Sequence, residues 1–131
     1  MLPRLLLDTH ILVRWSSDAK KLTREQRRVL EAAARNSEPL AISAVTLLEV
    51  ALLSNGGKLK APLDDFFADL EADPLVNVIP LTYEVASEFG SMGVLQDPSD
   101  RAIVATARIH GLRLVTSDQR IIESQLVPVV E

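Results

Sequence analysis

Four short apolar runs along the chain predict buried β-strands. The runs cover residues 4–8, 39–43, 77–81 and 112–116, and residues 127–130 could add a short fifth strand at an edge. Apolar residues follow one another in these runs without strict alternation, which is typical of a parallel sheet that is covered on both faces. The pattern therefore predicts a mainly parallel sheet of four or five strands.

Helical segments fill the intervals between these runs. They include residues 23–35, 43–54, 63–72, 82–92, 98–111 and 117–124. Thr23 is a good N-cap for the first of them, and Gly111 stands where a left-handed residue commonly ends a helix. We expect the element order β-α-α-β-α-α-β-α-α-β-α-β, which predicts an α/β domain with helices on both faces of the sheet.

The composition is that of one globular domain. Of 131 residues, 47% are hydrophobic, and no repeat or flexible linker divides the chain, which predicts a single domain over residues 1–131. The apolar runs are far shorter than the ~20 residues that span a bilayer, and the opening MLPRLLLD is too short for a signal peptide. The absence of cysteine excludes a disulfide framework and a thiolate metal site, so we expect a cytoplasmic protein without a membrane span.

The charge is unevenly distributed, although its total is only −4. Residues 1–60 carry ten Lys and Arg against six Asp and Glu, whereas residues 61–131 carry four against twelve. The basic excess is concentrated between Lys20 and Arg28. Such a run is either a solvated helix face or a surface that neutralises phosphates, so the acidic total does not exclude a nucleic-acid partner.

Five acids from four distant segments are predicted to meet at one edge of the sheet, outside the carboxyl ends of the strands, where open parallel sheets form their sites. The five are Asp8 at the end of the first strand, Glu49 in the helix after the second, Asp97 and Asp100 at the start of a later helix, and Asp118 after the fourth strand. Two carboxylates about 5 Å apart repel each other by roughly 3 kcal/mol at an effective dielectric of about 20. Either some of the five stay protonated or a divalent cation binds them, and oxygen ligands suit Mg²⁺ or Mn²⁺.

Each acid also has a simpler explanation. Glu49 could lie on a narrow solvent-exposed stripe of a helix that is otherwise apolar enough for a core. Asp97 before a proline is a good N-cap, and Asp100 then falls in the first helical turn, where the helix dipole favours an acid. Asp118 could likewise begin a final helix. Asp8 is harder to explain in this way, because an acid that closes a buried apolar strand needs a partner.

Few cations stand beside these acids in the sequence, and Arg101 is one candidate for neutralising them. His10 and His110 lack the spacing of a metal motif, so we expect His10 to pack near the site and His110 to interact with a helix dipole. A hard ion held by carboxylates at the edge of a sheet usually serves phosphate chemistry. That chemistry is therefore the leading hypothesis.

Three segments occur along the chain in the order LLLDTHILVRW, PLAISAVTLLEVALLSNGGKLK and QDPSDRAIVATARIHGLRLVTSDQRI. Together they resemble PIN domains, specifically the VapC toxin branch of bacterial toxin–antitoxin pairs. The resemblance implies a three-layer α/β/α fold and an Mg²⁺- or Mn²⁺-dependent endoribonuclease that acts on RNA. It also implies a homodimer that is silenced by a small VapB-like antitoxin.

The resemblance assigns roles to individual residues. It implies that Asp8, Glu49, Asp100 and Asp118 are the catalytic and metal-binding acids, with Thr9, Asp97 and Thr116 as accessory residues. The basic residues expected to guide RNA are Arg14, Lys20, Lys21, Arg24, Arg28 and Arg101. The chain departs from the family pattern at Leu95-Gln96 and at Ser99, and neither departure falls on a proposed ligand.

The sequence is also compatible with other functions. One is a PIN nuclease with a housekeeping role in RNA processing, and another is a non-catalytic PIN-like module that mediates interactions. A receiver domain also places acids at strand ends around Mg²⁺, but it needs a lysine at a late strand, and no lysine follows Lys60.

Overall fold

Strand β1 lies at the centre of a five-stranded parallel sheet in the computed structural model, which describes residues 1–131. The strands are β1 (Leu5–Leu7), β2 (Leu40–Ser43), β3 (Val76–Ile79), β4 (Arg113–Val115) and β5 (Val129–Val130). Their order across the sheet is β3-β2-β1-β4-β5, and every neighbouring pair is parallel. All five predicted strands are therefore present, including the short one at the edge.

Seven helices connect the strands. They are α1 (Thr9–Ser17), α2 (Arg24–Arg35), α3 (Ala44–Asn55), α4 (Leu63–Ala72), α5 (Tyr83–Gly90), α6 (Pro98–His110) and α7 (Gln119–Ser124), with a 3₁₀ turn at Ala19–Lys21. This order confirms the predicted succession of elements. Strand β3 ends before Pro80 rather than at residue 81, because proline has no N–H to donate to a ladder.

Two hydrophobic clusters cover the two faces of the sheet. Successive side chains of a strand point to opposite faces, so Leu6 belongs to one cluster and Leu7 to the other. The Leu6 cluster includes Val85 of α5, Ile103 of α6 and Ile121 of α7. The Leu7 cluster includes side chains from α1, α2 and α4. The result is the predicted three-layer α/β/α arrangement.

Helix α3 is less buried than its apolar sequence predicts. Thr46 and Val50 are buried, but Leu48 and Leu52 are each 62% exposed. Although its sequence is apolar enough for a core, the helix around Glu49 is therefore only partly buried. The two leucines lie four residues apart, so they form one exposed apolar stripe on the helix surface.

None of the helices is both long and apolar enough to cross a bilayer, and the longest, α6, has only 13 residues.

Candidate active site at the carboxyl edge of the sheet

The strand order reverses between β1 and β4, and this is the point at which open α/β sheets form their binding crevices. Successive strands run outward from β1 to β3 on one side, and the chain then crosses to β4 on the other. The backbone N–H of Asp8 donates to the carbonyl of Val115 at 3.0 Å, so the chain segments leaving β1 and β4 start side by side. Residues more than 100 positions apart in sequence thus meet at this edge.

Asp8 is only 4% exposed, and both of its carboxylate oxygens accept hydrogen bonds. Oδ1 accepts from the backbone N–H of Thr9 at 2.8 Å, which makes Asp8 the N-cap of α1. Oδ2 accepts from the Thr116 hydroxyl at 2.7 Å and lies 3.5 Å from Nδ1 of His10. These groups are the partners that a buried acid at a strand end requires, and the start of a helix further stabilises its charge.

The loop after β4 is fixed by a buried glutamine that the sequence reasoning missed. Gln26 is fully buried, and its Nε2 donates to the carbonyl of Thr116 at 3.3 Å and to the hydroxyl of Ser117 at 2.8 Å. Its Oε1 accepts from the backbone N–H of Thr23, which completes a capping box at the start of α2. The signal in the sequence was the Thr-x-x-Gln spacing at the predicted helix start.

Glu49 faces the site rather than a solvent-exposed stripe. The hydroxyl of Thr9 donates to Oε1 of Glu49 and lies 3.0 Å from the hydroxyl of Thr46. Since Thr9 has one hydroxyl proton and directs it to Glu49, Thr46 is the donor in the second bond. Thr9 therefore links two acids, through its backbone N–H to Asp8 and through its side chain to Glu49.

Burial raises the pKa of Glu49 above the usual value for a glutamate. A hydrogen bond from Thr9 opposes the increase, the charges of Asp8 and Asp97 add to it, and the hydroxyl of Ser99 opposes it. Ser99, where the sequence departs from the family pattern, thus acts directly on a site acid. Glu49 is held in the site by the hydroxyl of Thr9 and has no cationic partner among the groups that set its pKa.

Asp100 carries the largest electrostatic perturbation of the site. Its pKa is raised from 3.8 to about 7, chiefly by desolvation and then by the charges of Asp97, Asp118 and Asp8, in that order. Arg120 is the cation that opposes these charges. The structure therefore brings the predicted acids into mutual electrostatic range, and it leaves their repulsion largely uncompensated.

Asp97 and Asp118 are both helix caps. Oδ1 of Asp97 accepts from the backbone N–H groups of Ser99 at 2.8 Å and Asp100 at 3.1 Å, which confirms the capping interpretation. Oδ1 of Asp118 accepts from the backbone N–H of Arg120 at 2.9 Å and lies 3.6 Å from its Nε. Capping does not remove either acid from the site, because both charges act on Asp100.

His10 packs against the site, as predicted. Its Nε2 accepts from the backbone N–H of Ser117 at 3.0 Å, and its Nδ1 points to Asp8. Burial lowers the pKa of His10, and the charges of Asp8 and Asp118 only partly oppose this. A neutral ring with its proton on Nδ1 satisfies both contacts.

Arg101 does not neutralise the acids, so that expectation is wrong. Its Nε donates to the carbonyl of Leu95, and its guanidinium lies over the ring of Phe89 at 5.4 Å from the centroid. Arg120, two residues after Asp118, is the cation that acts on Asp100 instead. The side chain of Arg101 is held at the loop before α6 by its bond to Leu95. The backbone of Arg120 is instead bonded to the site acid Asp118, which caps α7.

The donor set suits a hard divalent cation, although the side chains do not form a closed cage. The available donors are carboxylate and hydroxyl oxygens, which Mg²⁺ and Mn²⁺ prefer, and the charge around Asp100 is not balanced by cations. No group of three or more His, Asp or Glu side chains is arranged to hold an ion in the present rotamers. The acids instead accept hydrogen bonds from Thr9 and Thr116.

The basic residues expected to guide RNA lie on four elements: α1, the 3₁₀ turn, α2 and α6. Arg28 of α2 pairs with Glu25 through an Nε–Oε2 hydrogen bond of 2.9 Å, and Arg24 is exposed at the start of the same helix. Lys21 of the 3₁₀ turn lies 3.7 Å from Asp18. Arg14, Lys20 and Arg101 complete the set, and the contacts of all six with RNA stay a prediction.

Comparison with known proteins finds similar sequences and folds. Residues 5–124 match the family model described as the PIN domain, a range that contains every acid of the site. Ribonuclease VapC22 of Mycobacterium tuberculosis is 29% identical over 118 residues, which cover 88% of each chain. FitAcB from Neisseria gonorrhoeae has a similar structure, with a TM-score of 0.69 and 25% identity over 97% of this chain and 96% of that one. A toxin–antitoxin complex from Klebsiella pneumoniae also has a TM-score of 0.69, with 24% identity over the same shares.

Proposed function

The chain belongs to the PIN domain family, and on this basis we propose that it is a metal-dependent endoribonuclease, the toxin of a VapBC-type toxin–antitoxin pair. The observation that carries the proposal is that acids from separate segments meet at this edge. Asp97, Asp118 and Asp8 all act on Asp100, whose pKa is raised to about 7 by desolvation and by their charges. A cluster of carboxylates that repel one another at a sheet edge is costly unless a cation occupies it. The relative from Mycobacterium tuberculosis is named a ribonuclease, which supports the substrate class.

Asp8, Glu49, Asp100 and Asp118 are the side chains that would hold Mg²⁺ or Mn²⁺. A divalent ion held by carboxylates supplies Lewis-acid activation of a phosphodiester and lowers the pKa of water. The chain's own residues do the positioning: Thr116 and the start of α1 orient Asp8, and Thr9 orients Glu49. Neutral His10 donates toward Asp8 without adding positive charge to the site.

Direct hydrolysis at phosphorus would leave 5′-phosphate and 3′-hydroxyl ends, as the family resemblance suggests. Ends that carry 2′,3′-cyclic phosphate would instead require attack by the ribose hydroxyl, with one of the acids or His10 as a general base. Analysis of the product ends therefore separates the two mechanisms.

The proposed partners are a VapB-like antitoxin and a second copy of the chain. An apolar cleft of about 320 Å³ between α1, α4 and the sheet offers a surface for an antitoxin segment, with Leu12, Trp15 and Phe66 in its lining. Leu48 and Leu52 supply an exposed apolar stripe for a homodimer. We place the protein in the cytoplasm because its proposed substrate and antitoxin are made there.

The test is cleavage of a mixed RNA substrate by the purified protein with Mn²⁺, Mg²⁺ or EDTA. We expect cleavage only with metal. We expect E49Q to reduce it by more than the roughly 10–100-fold that is lost when a residue supporting a metal ligand is replaced. E31Q is the matched control, because Glu31 is exposed on α2. Equal cleavage by wild type and E49Q would mean either that the activity belongs to a contaminant or that Glu49 is merely a surface acid.

A further inference from the structure

A second cleft adjoins the candidate active site. Its volume is about 220 Å³, and the cationic side chains of Arg14, Lys21, Lys58 and Lys60 line it. We propose that this cleft binds one backbone phosphate of the RNA strand, next to the phosphodiester that the acidic site cleaves. The proposal rests on the proposed function, and it adds Lys58 and Lys60 to the residues that contact the substrate.

Three separate elements contribute the cations. Arg14 lies on α1 one turn after His10, Lys21 belongs to the 3₁₀ turn after that helix, and the two other lysines follow α3. Only the tertiary fold brings these segments together. Two of the nine lining residues are hydrophobic, so the cleft is a polar site and differs from the apolar cleft proposed for the antitoxin.

The direction of Lys58 is set by the end of α3. Gly57 has a φ of 71°, and its N–H donates to the carbonyl of Ser54 at 3.1 Å. The N–H of Lys58 donates to the carbonyl of Leu53 at 2.9 Å. These two bonds form a Schellman motif, which closes the helix and fixes where the next residues leave it. The lysine is thus held at the cleft by a defined backbone turn.

The cleft carries excess positive charge. Asp18 is the one acid in the lining, and its Oδ2 lies 3.7 Å from the ammonium groups of both Lys21 and Lys60. Arg14 and Lys58 form no ion pair, so their charges are free to meet an anion. A water molecule occupies about 30 Å³ of liquid, so the cleft has room for a phosphate group with part of its hydration.

His10 connects this cleft with the acidic site. His10 lines the cleft, and its Nδ1 lies 3.5 Å from Oδ2 of Asp8. An anion in the cleft is therefore a near neighbour of the phosphodiester held at the acids. An RNA strand presents such a neighbouring phosphate at every nucleotide, whereas a single small anion would fill only one of the two places.

The test measures RNA binding in the absence of cleavage. Anisotropy of a fluorescein-labelled, mixed-sequence single-stranded RNA is followed in EDTA at several NaCl concentrations. Loss of one phosphate contact lowers the slope of log affinity against log salt by about 0.7, so we expect this decrease and a roughly five- to tenfold weaker affinity at low salt for the double variant K58Q/K60Q. R35Q is the control, because Arg35 is exposed nine residues beyond Gln26 on α2, about 13 Å away along the helix.

D18N separates binding from structural support. Asp18 makes no side-chain capping bond at the 3₁₀ turn, so its replacement by the isosteric amide mainly frees Lys21 and Lys60. We expect D18N to bind RNA more tightly, by about two- to fivefold. Weaker binding by both D18N and K58Q/K60Q would show that these residues only maintain the fold, and it would overturn the proposal.

The outcomes also distinguish the proposal from the function on which it rests. Unchanged salt dependence in K58Q/K60Q, together with metal-dependent cleavage by the wild type, would refute the phosphate cleft and leave the nuclease intact. Failure of the wild type both to bind and to cleave RNA would refute both. Inorganic phosphate is the second probe: competition at millimolar concentration against the wild type, and none against K58Q/K60Q, would support an anion site at these lysines.

Discussion

Replacement of Asp100 by asparagine tests the central electrostatic claim about the site. The wild-type carboxyl has a pKa of about 7, against 3.8 for an unperturbed aspartate, because it is desolvated and because Asp97, Asp118 and Asp8 are close. A pKa that is raised in the folded state contributes stability at pH values below the unfolded pKa, and this stability is lost as the pH rises through the folded pKa. D100N keeps the shape of the side chain and removes this loss.

The magnitude follows from the shift. Three pKa units correspond to about 4 kcal/mol for a fully buried group. Asp100 is only half-buried, so water screens much of this, and we expect D100N to be about 1–2 kcal/mol more stable than the wild type at pH 8. The difference should be near zero at about pH 4, and it should develop between pH 4 and 7. For a domain of this size, it corresponds to a rise in melting temperature of roughly 3–8 °C.

The assay is thermal unfolding in EDTA at a series of pH values. D65N is the matched control, because Asp65 lies in the first turn of α4 as Asp100 does in α6, but its side chain is exposed. We expect D65N to be slightly less stable than the wild type at pH 8, since it loses only a favourable helix-dipole interaction of about 0.3–1 kcal/mol. The reasoning would be refuted if D100N melted below the wild type at pH 8, or if the difference in melting temperature were the same at pH 4 and at pH 8.

Addition of Mn²⁺ should raise the melting temperature of the wild type more than that of D100N, since a ligand stabilises the state that binds it.

Three further predictions follow from the hydrogen bonds and backbone of this region. T9V removes the hydroxyl that donates to Glu49. The Mn²⁺ concentration that gives half of the full rise in melting temperature should therefore be about 10-fold higher than for the wild type. T9S keeps the hydroxyl and should match the wild type. Q26L leaves the carbonyl of Thr116 without its side-chain donor and should lower the free energy of unfolding in urea by about 1–3 kcal/mol, and an unchanged denaturation midpoint would contradict this. G57A forces a β-carbon onto a residue with a φ of 71° and should cost about 1–2 kcal/mol, whereas G56A, at a φ of −83°, should cost less in the same unfolding assay.

The strand pattern was predictable because burial on both faces of a parallel sheet leaves a direct trace in the sequence. Runs such as the one ending at Asp8 have no polar alternation, and helix ends carry capping residues whose chemistry is local. Asp97 could be recognised as a cap from its proline neighbour alone, and the structure bears this out. The same local rules placed the acids at the ends of strands and the starts of helices.

The surroundings of the acids could not be predicted in the same way. Nothing near Glu49 in the sequence indicates that Thr9, 40 residues away, donates to it. Gln26 reads as a surface residue of a polar helix, and its burial depends on the loop after β4 lying over the start of α2. The exposure of Leu48 and Leu52 is equally invisible, because an apolar side chain shows burial only through the elements that cover it.

The sequence alone thus determines the helices and strands, their order along the chain, and which five acids lie at one edge of the sheet. These features depend only on periodicity, on capping and on the common direction of parallel strands. Only the folded chain decides which charges act on one another: it turns Arg101 toward Phe89 and pairs Arg120 with Asp118, from where its charge acts on Asp100. It also gathers four cations from three segments into a cleft beside Asp8. The physical reason is that Coulomb energies depend on distances and local dielectric, and both are set by the packing of residues that are remote in sequence.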